Sequence, residues 1–344
     1  MLMHVELPPT AGPSSVRLRG SLLAAGVSDP ELRAGIKDGS VSRVDRGAYV
    51  PGDAAAATVT GRHRHRVEAA ARRSPDLVIG HVSAAIVHHY PIWGATLQRV
   101  HQIRPGSGGS LRTARRHVHV GRLAPEDIVT VGDIRVTSPA RTLVDLARNE
   151  GFDTAVIAAD FALHAPVFAK ETSPRPLVTT EQLTAALARA RHLPHIGAAR
   201  RALRFADGRS ESVGESRTRL TLRSCGLPDP ELQVDVLDRG LFVARVDLAY
   251  PEFAVVIEFD GEAKYGMLLA PGESASGAVI REKQREDDLR RLGLVVVRLT
   301  WRELADRRLV HERVAAAVEH GRTVMALGGM TGTLVRRPPI RIAR

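Results

Sequence analysis

Residues 17–50 carry two spacings in turn. In LRGSLLAAGVS apolar side chains recur every three or four positions, and DPELRAGIKDGSV opens on Asp29 and Pro30, residue types that start a helix. Gly39 then ends that second helix. The following SVSRVDRGAYVPG alternates apolar and polar positions and finishes in Pro and Gly, which predicts a small hairpin. Two helices and a hairpin in this order predict a winged helix-turn-helix within residues 1–55. In such a unit the second helix can enter the major groove of duplex DNA, and Arg33, Lys37, Arg43 and Arg46 are placed to contact its phosphates. The same four residues also fit a solvated surface.

A mixed α/β middle region is expected over residues 56–165. HVSAAIVHHY predicts a helix capped near Ser83, and VTSPARTLVDLAR predicts a core helix started by Ser138 and Pro139, with Leu143, Leu146 and Ala147 on one face. Between them lies a Gly-rich turn at 106–109, followed by Ser110 and Leu111 where a phosphate loop needs Lys and Ser/Thr. It reads as the exposed tip of a hairpin beside the basic cluster Arg112, Arg115 and Arg116. His81, His88 and His89 form no His-x-x-x-His pair with an acidic partner, so no chemistry is assigned to them. APVFAKETSPRPLVTT breaks periodicity before the helix TEQLTAALARAR, giving a helical connector over 166–208.

From residue 209 the order becomes helix, strand, strand, strand, helix, strand. RSESVGESRTRLTLRSCGL supplies the first helix, and PELQVDVLD, FVARVDLAY and FAVVIEFDG supply three strands. REKQREDDLRRLG is the second helix, and LVVVRLTW is the apolar run of a strand covered on both faces. This αβββαβ domain spans 209–325, and the expected whole is a multidomain α/β protein. Residues 326–344 end in LVRRPPIRIAR and read as a mobile basic tail.

Composition narrows the partners. The net charge is +11, concentrated in the first 200 residues, which favours a polyanion such as nucleic acid. A single Cys225 excludes a disulfide framework and a cysteine zinc cluster, and points to a reducing cytoplasmic compartment. The sequence offers neither a signal peptide nor a long apolar run, so a membrane is not an expected partner.

The candidate chemistry lies in RVDLAYPEFAVVIEFDGEAKYG. Side chains two apart on a strand share a face, so Glu258 and Asp260 project together, and a hairpin partner brings Asp247 alongside. Crowded carboxylates stay ionised only if a cation neutralises them, and oxygen ligands select Mg2+ or Mn2+. Such an ion can hold a scissile phosphate and activate water, which is hydrolytic nuclease chemistry. Lys283 shares a helix face with Asp287; Lys283 and Arg285 are phosphate-facing candidates, with a surface ion pair as the plain alternative. Gln233 is a minor site candidate and Trp301 a packing anchor.

Two resemblances sharpen these expectations. ELRAGIKDGSVSRVDRGAYV, HVSAAIVHHYPIWG and VTSPARTLVDLAR resemble the AbiEi family, antitoxin and transcriptional-repressor components of type IV toxin-antitoxin systems. That likeness implies an autorepressor, with a cognate toxin as a further partner. Residues 209–305 resemble the PD-(D/E)XK nucleases, in the branch related to very-short-patch-repair endonucleases, which carries an E-x-D-G step. The likeness implies that Asp247, Glu258 and Asp260, with the Phe259 carbonyl, hold the metal and that Glu215 is the glutamate of the first helix. Asp260 stands where most of the superfamily has Lys, so its role passes to Lys264, Lys283 or Arg285. The reading is thus a DNA-binding, metal-dependent endonuclease, with a repressor carrying an inactive nuclease-fold module as its alternative.

Overall fold

The computed structural model describes residues 15–164, 176–261 and 275–343. It is a mixed α/β chain with three multi-stranded sheets. One compact unit contains the described residues up to 158 and 178–203; the other contains 159–164, 176–177 and those from 204 onward.

The first unit opens with β1 (Arg17–Leu18), α1 (Arg19–Ala24), α2 (Asp29–Asp38), β2 (Val41–Asp45) and β3 (Ala48–Pro51). The three strands form one sheet in the order β1-β3-β2, and Leu22, Leu32, Val41 and Tyr49 pack beneath it. Ser28, rather than Asp29, caps α2: its Oγ accepts from Glu31 N while Glu31 Oε2 accepts from Ser28 N at 2.7 Å. Asp29 instead bonds Arg19. Gly39 ends the helix at φ 82°, a conformation a side chain would oppose.

The same unit continues through α3 (Val59–Arg73), β4 (Val78–Ile79), α4 (His81–Val87), β5 (Val100–Pro105), β6 (Leu111–Arg112), β7 (Arg116–Gly121), β8 (Ile128–Val131), β9 (Ile134–Thr137), α5 (Pro139–Asn149) and the start of α6 (Phe152–Leu163), whose residues from 159 onward belong to the other unit. Six strands pair in the order β6-β7-β5-β4-β9-β8, over a core of Val67, Ala70, Ile79, Ala84, Val87 and Val136. The Gly-rich turn does not join a simple hairpin. Strands β5 and β7 run parallel, and only β6 pairs antiparallel with β7. Helix α4 starts at His81, two residues before Ser83, whose buried hydroxyl is used elsewhere. Ser138 caps α5 as its sequence suggests, accepting from Arg141 N at 3.4 Å. Helix α7 (Thr180–Arg189) packs on α5, and α8 (Ile196–Phe205) follows.

The second unit holds α9 (Val213–Ser224), β10 (Glu231–Asp238), β11 (Leu241–Tyr250), β12 (Val255–Asp260), α10 (Ala275–Arg291), β13 (Val295–Thr300), α11 (Trp301–Leu304), α12 (Arg307–Ala326) and β14 (Thr333–Val335). Its sheet order is β13-β12-β11-β10-β14, with only β12 and β13 parallel. Two aliphatic layers sandwich the sheet. One joins Ile257, Phe259 and Leu299 to Leu222 of α9 and Val310 and Val314 of α12; the other joins Val246 and Val256 to Leu289 near the end of α10. The segment expected to be a mobile tail is instead integrated here. Strand β14 pairs with β10, Arg337 Nε bonds Asp235 at 3.3 Å, and Ile342 is buried.

Candidate functional site

Along β12 the alternation is regular: Val255, Ile257 and Phe259 join the α9 and α12 layer, while Val256 joins the α10 layer. Strands β10 and β11 break this rule. Leu232 and Leu248 belong to the first layer, yet Val234 and Val246, two residues away, belong to the second. Both strands therefore exchange faces between these positions, at Gln233 and Asp247. Gln233 has φ 51°, and this left-handed residue within a strand turns the pleat over. A non-glycine residue held there costs on the order of 1–3 kcal/mol, so the surrounding contacts must enforce it.

The same two positions carry the polar site. The backbone pairing of β11 with β12 runs from Tyr250–Val255 to Leu248–Ile257, making Asp247 and Glu258 the next opposed positions. There a side chain takes over: Asp247 Oδ2 accepts from Phe259 N at 2.9 Å. Glu215 enters from α9. Residue 214 must be glycine for this, because a Cβ there would lie 1.9 Å from the Phe259 ring. With α9 seated directly on that ring, the next residue is delivered against the sheet. Trp301 meets the Phe259 ring edge-on, with centroids 4.8 Å apart, while remaining partly exposed.

Three donors hold the Glu215 carboxylate: Glu211 N at 2.9 Å, Ser212 Oγ at 2.8 Å and Gln233 Nε2 at 3.0 Å. All favour the ionised form. Burial and the charge of Asp247 nevertheless outweigh them and push the Glu215 carboxyl up to about 7. Glu258, also buried, accepts from Arg285 Nη1 at 3.2 Å, and the same guanidinium reaches Arg245 O at 3.3 Å. Arg285, read from the sequence as phosphate-facing, is thus drawn onto the acidic strand.

The remaining sequence candidates are placed as follows. Asp260 is half-buried at the end of β12, opposite Thr300 of β13, and Lys283 is exposed on α10. Lys264 lies outside the described residues. The expected meeting of Asp247, Glu258 and Asp260 at one point is not what the structure gathers. Among the described residues, only His81, His101 and His119 bring three ligand atoms within 4.8 Å of one another. The face exchange at Asp247 explains the difference, because simple two-residue alternation does not carry through that position. In the first unit Arg33, Lys37, Arg43 and Arg46 are all exposed. Arg43 and Arg46 line an open groove of about 650 Å³ together with Arg19 and Arg73, which are paired with Asp29 and Asp45.

No family model matches the chain. Two uncharacterized proteins of Mycobacterium tuberculosis strains, Rv2248 and MT2308, are each 34% identical over 161 residues, 47% of this chain and 53% of theirs. The chain thus spans about half the length of the curated relatives it matches. Among the described residues no helix is long and apolar enough to cross a membrane.

Sequence reasoning missed two features. Gln233 could be ranked only as a minor candidate, since nothing in a sequence announces a positive φ. The histidine group had a signal: His117 and His119 flank Val118 on one strand, so both rings fall on one face, with His101 on the neighbouring strand.

Proposed function

We propose that this protein binds duplex DNA through its N-terminal helices and hairpin, acting as a winged helix, and hydrolyses phosphodiesters with a C-terminal PD-(D/E)XK-like domain. The order α9-β10-β11-β12-α10-β13 supports the second half of that reading. The observation that carries it is Glu215, raised to about 7 by burial and by Asp247 on a strand that opposes Glu258. Acids crowded at a cost, on a strained backbone, fit a hard divalent cation of the Mg2+ or Mn2+ class.

Asp247 and Glu258 would be the ligands, with Asp260 at the strand end. Mg2+ bound there supplies Lewis acidity to a phosphate oxygen and to water. Asp247 is oriented by Phe259 N, and Glu215 is fixed by Gln233 and Ser212, ready to exchange a proton near neutral pH. Arg285 takes the place of the superfamily's usual Lys as the positive charge beside the scissile phosphate.

That same Arg285 also favours a second reading. A guanidinium already on Glu258 can replace the metal outright, leaving an AbiEi-like autorepressor with a catalytically silent module and a cognate toxin as partner. Plasmid and single-stranded DNA incubated in Mg2+, Mn2+ or chelator, with wild type and Glu258→Ala, separate the two. Metal-dependent cuts lost in the variant support the nuclease. An absence of cleavage, with promoter DNA bound equally in chelator, supports the repressor.

A further inference from the structure

We propose that His81, His101 and His119 form a binding site for a transition-metal ion of the Zn2+ class, independent of the acidic site. His81 is the first residue of α4, His101 lies on β5 and His119 on β7. Because β5 and β7 run parallel, with His101 opposite His117 and Ile103 opposite His119, the rings of His101 and His119 are diagonal neighbours. His101 Nδ1 stands 3.1 Å from His119 Nε2. Two nitrogens bound tetrahedrally to Zn2+ at about 2.0–2.1 Å would be about 3.3 Å apart, so this pair already has nearly the required bite. The His81 ring stacks on His119 with centroids 4.0 Å apart, and one nitrogen from each of the three rings falls within 4.8 Å of the others.

Neighbouring side chains hold this corner of the unit together. Asn149 Nδ2 lies 3.3 Å from His81 Nδ1 and donates to Asp145 O at 2.8 Å. Ser83 Oγ accepts from His101 N at 2.9 Å and sits 2.9 Å from His63 Nε2. His81 itself holds φ 53°, an unfavourable conformation for a side-chain-bearing residue that opens a helix. The charged groups nearby are Arg141 and Arg148, and both are bonded to Asp145, at 3.0 and 2.9 Å. Burial keeps the rings neutral: it takes His101 down to about 2 and His119 to about 4, and lowers His81 well below its usual value. Neutral imidazole is the ligand form.

Three nitrogen donors select Zn2+, Co2+, Ni2+ or Cu2+ over Mg2+. They leave a fourth position for water or an incoming ligand, the pattern of a reactive rather than a sealed site.

The test uses the full chain without a histidine tag, stripped with chelator and titrated with Co2+. The expected result is one ion per chain with the visible absorption of four-coordinate cobalt, displaced by Zn2+ and unaffected by Mg2+. His119→Gln and His101→Gln should each abolish that signal, while His192→Gln and Glu258→Ala keep it. Should the histidine variants fold poorly, imidazole nitrogen shifts of the wild type decide: Zn2+ must move His81, His101 and His119 most, with a smaller shift only at His117, whose ring lies 3.7 Å from that of His119. Substoichiometric cobalt, an unchanged signal in His119→Gln, or shifts spread over other histidines would overturn the site.

Discussion

Each unit buries a group of carboxylates, and the two groups are treated in opposite ways. In the first, Asp127 and Asp145 are nearly sealed from solvent and met by arginines: Arg141 bonds both, at 3.1 and 3.0 Å, Arg148 bonds Asp145 and Arg189 bonds Asp127. In the second, Glu258 is likewise met by Arg285, but Glu215 is not: burial and the neighbouring acid Asp247 raise its affinity for a proton. A buried acid is therefore not a site by virtue of being buried. Compensated charge is architecture; acids set against one another are held for something else to bind.

The contrast can be broken from the architectural side first. Arg141→Leu removes the guanidinium shared by two buried acids, leaving only Arg148 on Asp145 and Arg189 on Asp127, and should cost about 3 kcal/mol of stability, read by denaturant unfolding. A loss below about 1 kcal/mol, the scale of an exposed pair, would mean that the network does not hold the first unit together. Next in size is Gly214→Ala. Its methyl group meets a ring in contact with Trp301, so α9 must move off β12, at about 1–3 kcal/mol, with the Glu215 titration returning toward its ordinary value. Unchanged stability together with an unchanged titration would remove α9 as the element that positions Glu215.

The acidic site itself is probed by the pH dependence of stability. Glu215 holds its proton more tightly folded than unfolded, so its contribution is fully present below its ordinary value of 4.5 and is lost as pH rises through about 7. Wild type should lose roughly 3 kcal/mol across that window relative to Glu215→Gln. Parallel stability profiles for the two proteins would show that Asp247 exerts no such pressure.

Much of this was legible in the sequence, and the failures share a cause. Caps and stops such as Ser138 and Gly39 act through their nearest neighbours, so residue type alone reveals them. The strand order of residues 231–300 follows from runs of Val, Ile and Leu and from Pro251. Ser83 looked like a cap because Ser is a capping residue. Its hydroxyl instead accepts from His101 N, 18 positions away, a partner that no local pattern indicates. The parallel pairing of β5 with β7, the reversal of faces at Gln233 and Asp247, and the docking of the final strand β14 on β10 are also long-range events. Arg285 was read as phosphate-facing and as one of three stand-ins for the missing Lys, and its direct bond to Glu258 could not be foreseen. Tertiary electrostatics, absent from helical periodicity, decides that.

The account stands on divalent-cation binding at Asp247 and Glu258, and Mn2+ binding followed by electron paramagnetic resonance tests it most directly. Wild type should take up Mn2+, Asp247→Asn and Glu258→Gln should lose it, and His119→Gln should retain it. Equal Mn2+ uptake by all four proteins, or none by the wild type, would contradict the account and leave Arg285 as the cation that Glu258 was built to hold.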